Sequence, residues 1–476
     1  MATLSLEEIA RATEGRLALG GRPPEGGAGH KVSGYSIDSR TLKPGDLFFA
    51  LVGPRLDGHD FVNDALASGA AAVVISRAAG RYAAAPAVVR VGDTTAALQE
   101  LGAHVRRARG VKVVGITGSA GKTTAKDLTE AVLAERFRTH KTEGNLNNAY
   151  GLPLTLLRLP EDREVAILEM GMSHRGEIAR LVEIADPDVG VILCVLRVHL
   201  ENFGTLAKVA AAKGELFRGM RRDATAVYNA DDPQTARLGR AFRGPSLSYG
   251  LDSRKADVRA ESIEVEGLSG ARFLLGRGGA GTLVRLALPG RHNVSNALAA
   301  AACGFALGLE AEAIARGLER ARPAPMRGVL HRLPNGIDLF DDSYNSNPAA
   351  MERAIGLLRD SRPRGRRVLV SGDMLELGPT EGRAHAHLGT EAAKAGVDLF
   401  VAVGPRSVRA AESARAAGLE QVRHFPDSEA AAAFVAGALR PGDVVLVKGS
   451  RGMRTERVVQ AILAAAGLPA WPEGTH

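Results

Sequence analysis

The stretch VKVVGITGSAGKTTAKDLTEAVLAE, residues 111–135, decides the fold. An apolar run of strand type leads through a glycine-rich turn straight into a helical pattern. The turn itself, Thr117-Gly118-Ser119-Ala120-Gly121-Lys122-Thr123-Thr124, has the composition of a phosphate-binding loop. Its glycines let backbone N–H groups close on phosphate oxygens, and the helix behind them presents its positive end. Lys122 can reach the β- and γ-phosphates of a nucleotide, and the Thr123 hydroxyl can sit on Mg2+. The full eight-residue pattern asks for glycine six positions before the lysine. Ile116 stands there, with Gly115 one residue earlier, so the match is GxxGKT. Such a loop specifies nucleotide binding and leaves ligase, kinase, ATPase and GTPase open.

Working outward, the runs VAILEM, DVGVILCVLRV and TAVYNADD alternate with helical stretches such as HRGEIARLVEIA. That alternation predicts an α/β fold with a mostly parallel sheet covered by helices. This block is expected over residues 109–325. It closes with the helices VSNALAAAACGFALG and AEAIARGLERA, and RPAPMRG follows as a linker because its prolines oppose helix. Residues 1–108 predict a small α/β domain, with a helix at LSLEEIARATEG that Ser5 can cap and strands at AAAVVIS and PAVVRV. Residues 326–476 show a second doubly wound pattern. Its strands are IDLFDDS, RRVLVSGD, LFVAVG and DVVLVKGS, and a helix starts at Pro348. Ligands in such sheets bind at the carboxyl ends of strands. DDSYNSN, SGDMLELG and KGSRGMRTE all fall there.

The 476 residues suit about three domains. With 45% hydrophobic and 24% charged residues, each domain can bury its own core. The two cysteines, Cys194 and Cys303, lie in apolar runs and read as buried free thiols in a reducing compartment. The N-terminus carries early acidic residues and lacks a basic stretch before an apolar one, which argues against a secretory signal. No apolar run reaches membrane-spanning length. A cytoplasmic chain without membrane insertion is expected. The net charge of +8 admits nucleic acid as a partner, but the basic residues are dispersed, and RPRGRR at Arg362 to Arg367 reads as a solvated face beside a turn. Aromatics at 4% leave few stacking platforms, so anionic small molecules are the better reading and nucleic acid is not expected.

Several further segments carry a resemblance: SIDSRTLKPGDLFFALVGPRLDGHDF, TGSAGKTT, TEGNLNNAYGLPLTLLRL, LEMGMSHRGEI, HLENFGTLAKVAAAKGELF, NADDP, GRHNVSNALAAAA, DDSYNSNPAAM, GDMLELG and VKGSRGMRTE. In order and spacing they resemble the Mur ligase family of peptidoglycan synthesis over nearly the whole chain. The resemblance implies three domains: an N-terminal one for a uridine nucleotide, a central P-loop ATPase and a C-terminal Rossmann-like one for the incoming amine. It also implies a monomer, and DDSYNSNP, GDMLELG and KGSRGM favour the member that joins D-alanyl-D-alanine to the free carboxylate of a UDP-N-acetylmuramoyl-tripeptide. ATP would activate that carboxylate as an acyl phosphate, with Mg2+ as the metal.

The residues carried over follow from those motifs. Glu169, at the end of VAILEM, and His199 match metal ligands, alongside Thr123. Lys213 in AAAKGELF matches the lysine that the family carbamylates, which turns a cation into an anionic ligand. Ahead of His199 the family has a Thr-Asn pair and a Gly; this chain has Leu193, Cys194 and Leu196, with Arg197 close by. Asn145, Asn147 and Asn148 match the substrate loop, where amides can orient phosphate or substrate without adding charge. Asn296 matches an adenine contact, while Asn293 can equally be a helix cap. Arg327 matches the γ-phosphate arginine and Asp342 the ribose or adenine carboxylate, with Tyr344, Asn345 and Asn347 expected along the same cleft. Ser39 and Arg40 match the uridine-nucleotide site, near a loop of Asp57, Gly58 and His59. Lys448, Ser450, Arg451, Asp373 and Glu376 are candidates for the dipeptide. Lys122, Lys213, His199 and Arg327 form the expected catalytic set.

Two alternatives remain beside this reading. A relative adding another amino acid is the nearest, although the Asp-Asn-Pro-Arg type motif of the member that adds the third residue is absent and GDMLELG stands in its place. A nucleotide-switch ATPase, from another class, predicts ATP turnover without any amine.

Overall fold

The computed structural model describes all residues except 21, 79–81, 83, 197–199, 280 and 470–476. Three large sheets follow one another along the chain, and Leu4–Ser5 pairs antiparallel with Lys31–Val32 in a further two-stranded sheet. The first has five strands in the order Arg16–Leu19, Ala87–Arg90, Ala72–Ile75, Leu47–Phe49 and Tyr35–Ser36. Its first pair is antiparallel and the others are parallel. Ser5 caps the helix Leu6–Ala12 through a reciprocal capping box with Glu8, as its spacing from the acidic residues suggests.

The second sheet has nine strands. Lys112–Thr117, Val165–Glu169, Thr139–Lys141, Val189–Ile192, Thr225–Asn229 and Ser246–Gly250 are parallel, and Val258–Val265 joins them in parallel at the edge. Beyond it Ala271–Gly276 and Thr282–Leu286 extend the sheet by antiparallel pairing. These last two strands are absent from the sequence reading. Lys112–Thr117 lies between Val165–Glu169 and Val189–Ile192. Chain order reverses there, which opens a crevice at the strand ends.

The helix Lys122–Leu133 is held on one side by Arg291–Ala306 and Ala311–Arg320. Ala297, Ala299, Ala300, Ala301 and Ala302 are buried along the former. Gly304 and Gly317 face Val132 so closely that an added Cβ would come within 2.8 and 2.6 Å of it. Small residues thus let three helices meet at backbone distance.

The third sheet has six strands ordered Val329–Arg332, Asp338–Asp342, Val444–Lys448, Arg367–Gly372, Leu399–Val403 and Val422–Phe425. Only the first pair is antiparallel. Asn347 caps the helix Pro348–Asp360, whose first residue is the expected proline. Residues 322–328 form no helix, and Met326 and Gly328 there have φ of 59° and 79°.

Two expectations are corrected. Arg366 and Arg367 do not form a solvated face. Arg366 donates to Asp443 and to Ala438 O at 2.7 Å each, and Arg367 to Leu358 O and Ser361 O at 3.1 Å, because carbonyls at the neighbouring element ends need donors. Of the two free thiols, Cys303 is buried but Cys194 is partly exposed, since its strand has already ended and the chain there turns along the phosphate loop.

Candidate active site

Helix Lys122–Leu133 begins at the loop lysine, with Gly121 before it at φ 84°. A side chain at Gly121 would be excluded twice, by that left-handed conformation and by Asn296 Oδ1, 2.6 Å from where its Cβ would lie. Lys122 Nζ folds back to donate to Gly118 O at 3.2 Å. The segment after strand Val189–Ile192 forms the loop's outer wall. Ser119 N–H donates to Cys194 O at 3.0 Å, and Leu196 N–H to Ser119 Oγ at 2.9 Å. Leu193 and Cys194 fill this wall with apolar and thiol groups.

Glu169 ends the neighbouring strand and is 3% exposed. Thr123 Oγ1 donates to one of its oxygens at 2.9 Å and Asn147 Nδ2 to the other at 2.8 Å. Its backbone N–H donates to Thr142 Oγ1, and the buried Lys126 ammonium donates to Thr142 O at 2.8 Å. Burial lowers the Lys126 pKa, against the opposing pull of Asp127 and Glu169. Sequence reasoning passed over Lys126. The donors converging at Glu169 and Thr123 are oxygens, which suits a small hard cation that completes its shell with phosphate and water oxygens. Asn148 Oδ1 accepts from the N–H groups of Tyr150 and Gly151 at the start of helix Gly151–Leu157.

Lys213 ends helix Leu206–Lys213 and is 3% exposed. Burial first, and then the Lys122 charge, push its pKa down to about 7. Among the described residues no carboxylate pairs with it. His199 and Arg197 lie outside the described residues.

From the third sheet Arg327, Asp342, Tyr344, Asn345, Asn347, Lys448 and Arg451 face the phosphate loop across a cavity of about 590 Å³. The loop residues Ser119 to Thr124, with Asn145, Asn147, Glu169 and Asn296, line the opposite wall. Lys448 is 3% exposed and spends its charge on Asp342 at 2.6 Å and Asn345 O at 2.9 Å. Arg451 is tied to Glu456 at 2.8 Å. Asp373 points inward and accepts from Ser407 N–H and Oγ at 2.7 Å, so it anchors the turn before helix Val408–Ala416. Asn296 donates to Asn293 Oδ1 at 3.2 Å, and Asn293 donates to Pro289 O.

His292 and Arg353 also line the cavity and were not singled out from sequence. His292 is pushed down to about 3 by burial and by the charges of Arg353 and Lys448. Its place inside GRHNVSN was the available signal.

Ser39 and Arg40 stay apart from this cavity, in a turn after strand Tyr35–Ser36, where Arg40 pairs with Asp38 at 2.6 Å. Nearby His59 is locked as the Nδ1–H tautomer. It donates to Asp57 at 2.6 Å while Nε2 accepts from Ser76 N–H at 3.0 Å.

Residues 31–118 match the description "Mur ligase family, catalytic domain", residues 116–304 "Mur ligase middle domain", and residues 326–451 "Mur ligase, glutamate ligase domain". The chain belongs to the Mur ligase family. Within the family it is 38% identical to the UDP-N-acetylmuramoyl-tripeptide–D-alanyl-D-alanine ligase of Escherichia coli (strain K12), covering 92% of this chain and 95% of that protein. The crystal structure of MurF from Acinetobacter baumannii superposes with a TM-score of 0.88 at 32% identity, covering 98% and 99% of the two chains. MurF ligase from Thermotoga maritima, solved in complex with ADP, gives 0.79 at 29%, covering 91% and 98%. Among the described residues of this Mur ligase, no helix is long and apolar enough to cross a membrane.

Proposed function

We propose that this chain joins D-alanyl-D-alanine to the terminal carboxylate of a UDP-N-acetylmuramoyl-tripeptide at the expense of ATP, yielding the UDP-linked pentapeptide, ADP and phosphate. The observation that carries the reading is whole-chain similarity to ligases of that name, spanning all three sheets. Residues 1–108 hold the uridine nucleotide, with Ser39 and Arg40 at its site; 109–325 hold ATP; 326–476 hold the dipeptide. The chain acts as a cytoplasmic monomer.

A carboxylate is a poor acyl donor because its leaving group would be oxide. In the first step a carboxylate oxygen attacks the γ-phosphorus, a mixed anhydride forms and ADP leaves. The dipeptide amine then attacks the carbonyl carbon, loses a proton, and phosphate departs with its C–O bonding pair. Lys122 and Arg327, on facing walls, neutralise charge on the phosphates, and closure of the walls excludes water. Asn296 and Asp342 hold the adenosine end. Asn145 and Asn147 orient the peptide carboxylate, and Arg451 pairs with the dipeptide carboxylate. Thr123, Glu169, His199 and Lys213 would hold Mg2+, which supplies positive charge to the phosphates when bound.

Lys213 fits its part for a physical reason. A pKa of about 7 leaves much of the amine neutral at physiological pH, and the neutral amine is the form that adds CO2. The carbamate so formed replaces repulsion from Lys122 with attraction.

The test is phosphate release from ATP with UDP-N-acetylmuramoyl-tripeptide, with and without D-alanyl-D-alanine. Release that needs both, with a UDP-linked pentapeptide product, is expected. Release independent of both would mean a switch ATPase, and release with another amino acid only would move the chain elsewhere in the family.

A further inference from the structure

Tyr344 lies against two guanidinium groups. The central carbon of Arg327 is 4.0 Å from its ring centroid and that of Arg451 is 5.8 Å away. The three side chains come from separate places: the linker at 322–328, the loop after Asp338–Asp342, and the loop after Val444–Lys448. All three line the cleft. The two main chains are tied together, because Tyr344 N–H donates to Met326 O at 3.1 Å. That carbonyl belongs to the residue before Arg327, so one backbone bond brings the residue with the ring beside the residue with the guanidinium. Arg451 has Glu456 as a second anchor. Arg327 has no carboxylate partner among the described residues. Its charge nevertheless reaches Lys126, buried in the phosphate-loop helix Lys122–Leu133.

We propose that Tyr344 is a positioning residue, whose ring holds Arg327 toward the phosphate loop before nucleotide arrives and keeps it apart from Arg451. This deepens the function proposed above and rests on its placing of Arg327 at the γ-phosphate. A ring is a particular kind of holder. Its quadrupole attracts the cation without engaging the N–H groups. Those donors stay free for phosphate oxygens, whereas a carboxylate holder would occupy them and cancel the charge. The γ-phosphate therefore meets a guanidinium that is already placed and still fully charged.

The experiment compares binding of ADP and of the β,γ-imido analogue of ATP by calorimetry in the full chain, since only the second carries a γ-phosphate. Tyr344→Leu weakens the analogue by about tenfold and leaves ADP nearly unchanged. Tyr344→Phe keeps the ring and retains the preference for the analogue over ADP. In the Arg327→Ala background, Tyr344→Leu causes no further loss, because the ring acts through that arginine. Equal weakening of both nucleotides by Tyr344→Leu would make the ring ordinary packing and overturn the proposal, as would an undiminished effect in the double variant. Loss of the preference in Arg327→Ala with none in Tyr344→Leu overturns the ring's role alone. An unchanged preference in Arg327→Ala removes the arginine from the γ-phosphate and overturns both readings.

Discussion

Between the first and second sheets side chains meet as they do in a protein interior; between the second and third they line a cavity. Helix Thr94–Arg109 makes the first junction. Gly102 lies so close to Pro153 that an added Cβ would come to 2.9 Å from its Cα. The buried Arg106 donates to Ala185 O at 3.0 Å and Asp186 O at 2.9 Å. Gln99 links Ala149 O to Arg180, and Ala2 N–H reaches Leu157 O at 2.9 Å. The second junction has a linker with two left-handed residues, Met326 and Gly328, and a rim contact from Arg332 to Ser269 at 2.8 Å. Its charged groups Arg327, Asp342, Arg353, Lys448 and Arg451 line the cavity. The first junction serves stability, and the second is where ligand contacts can be spent on closing walls. The uridine nucleotide would then be held at a fixed distance from the phosphate loop while the amine site moves.

The largest effect expected from this contrast is in the cleft. Lys213→Met lowers turnover by about a thousandfold or more, read by phosphate release. Its stability moves the other way. The wild-type native state carries a buried cation below about pH 7, a cost that fades as pH rises from about 7 toward the ordinary lysine value of 10.5. Thermal midpoints should favour the variant most below pH 7 and converge above it. A destabilised variant at pH 6 would place Lys213 among structural residues.

At the solid junction, Arg106→Ala strands two carbonyls and costs about 3 kcal/mol in urea unfolding, with KM for ATP unchanged. Gly102→Val forces helix from helix and costs about 2 kcal/mol. A shift in KM for ATP in either variant would show the two junctions to be coupled. The smallest effect belongs to the linker. Met326→Gly relieves a left-handed methionine but frees the unfolded chain, so stability changes by less than about 1 kcal/mol. KM for ATP rises about twofold as the walls become harder to order. A cost as large as that of Arg106→Ala would mean that the linker is packed as firmly as the helix.

Local chemistry made much of this legible from sequence. GSAGKTT announces its own turn and helix, Pro348 and Asn347 mark a helix start, and Lys448 falls at a strand end because its run is apolar up to it. Pairings across long separations were not legible. Nothing near Arg106 names Asp186 as its neighbour, and Arg366 resembles any surface arginine until Asp443 is seen beside it. The last two strands of the second sheet escaped notice because ARFLLG and TLVRL alternate buried with exposed residues and each carries an arginine among its apolar residues. The partner of Lys448 was likewise hidden. A lysine at the end of an apolar strand does not name its neighbour, and only the fold brings Asp342 to it.

The alanine-lined helix Arg291–Ala306 limits how this sequence can drift. At Gly304 its face has no room even for a Cβ, the alanines beside it are buried, and the phosphate-loop helix it supports is confined with it. Inherited change near the nucleotide is therefore channelled to the other wall, the short segment from Leu193 to Leu196. There Leu193 and Cys194 border a cavity, and a change at the partly exposed Cys194 can be accommodated without moving a helix. That is where this chain carries leucine and cysteine in place of the polar residues its family resemblance leads one to expect. An inhibitor that leaned on this wall would meet a surface free to vary; one seated against Gly121 and Asn296 would meet a surface that variation can scarcely reach.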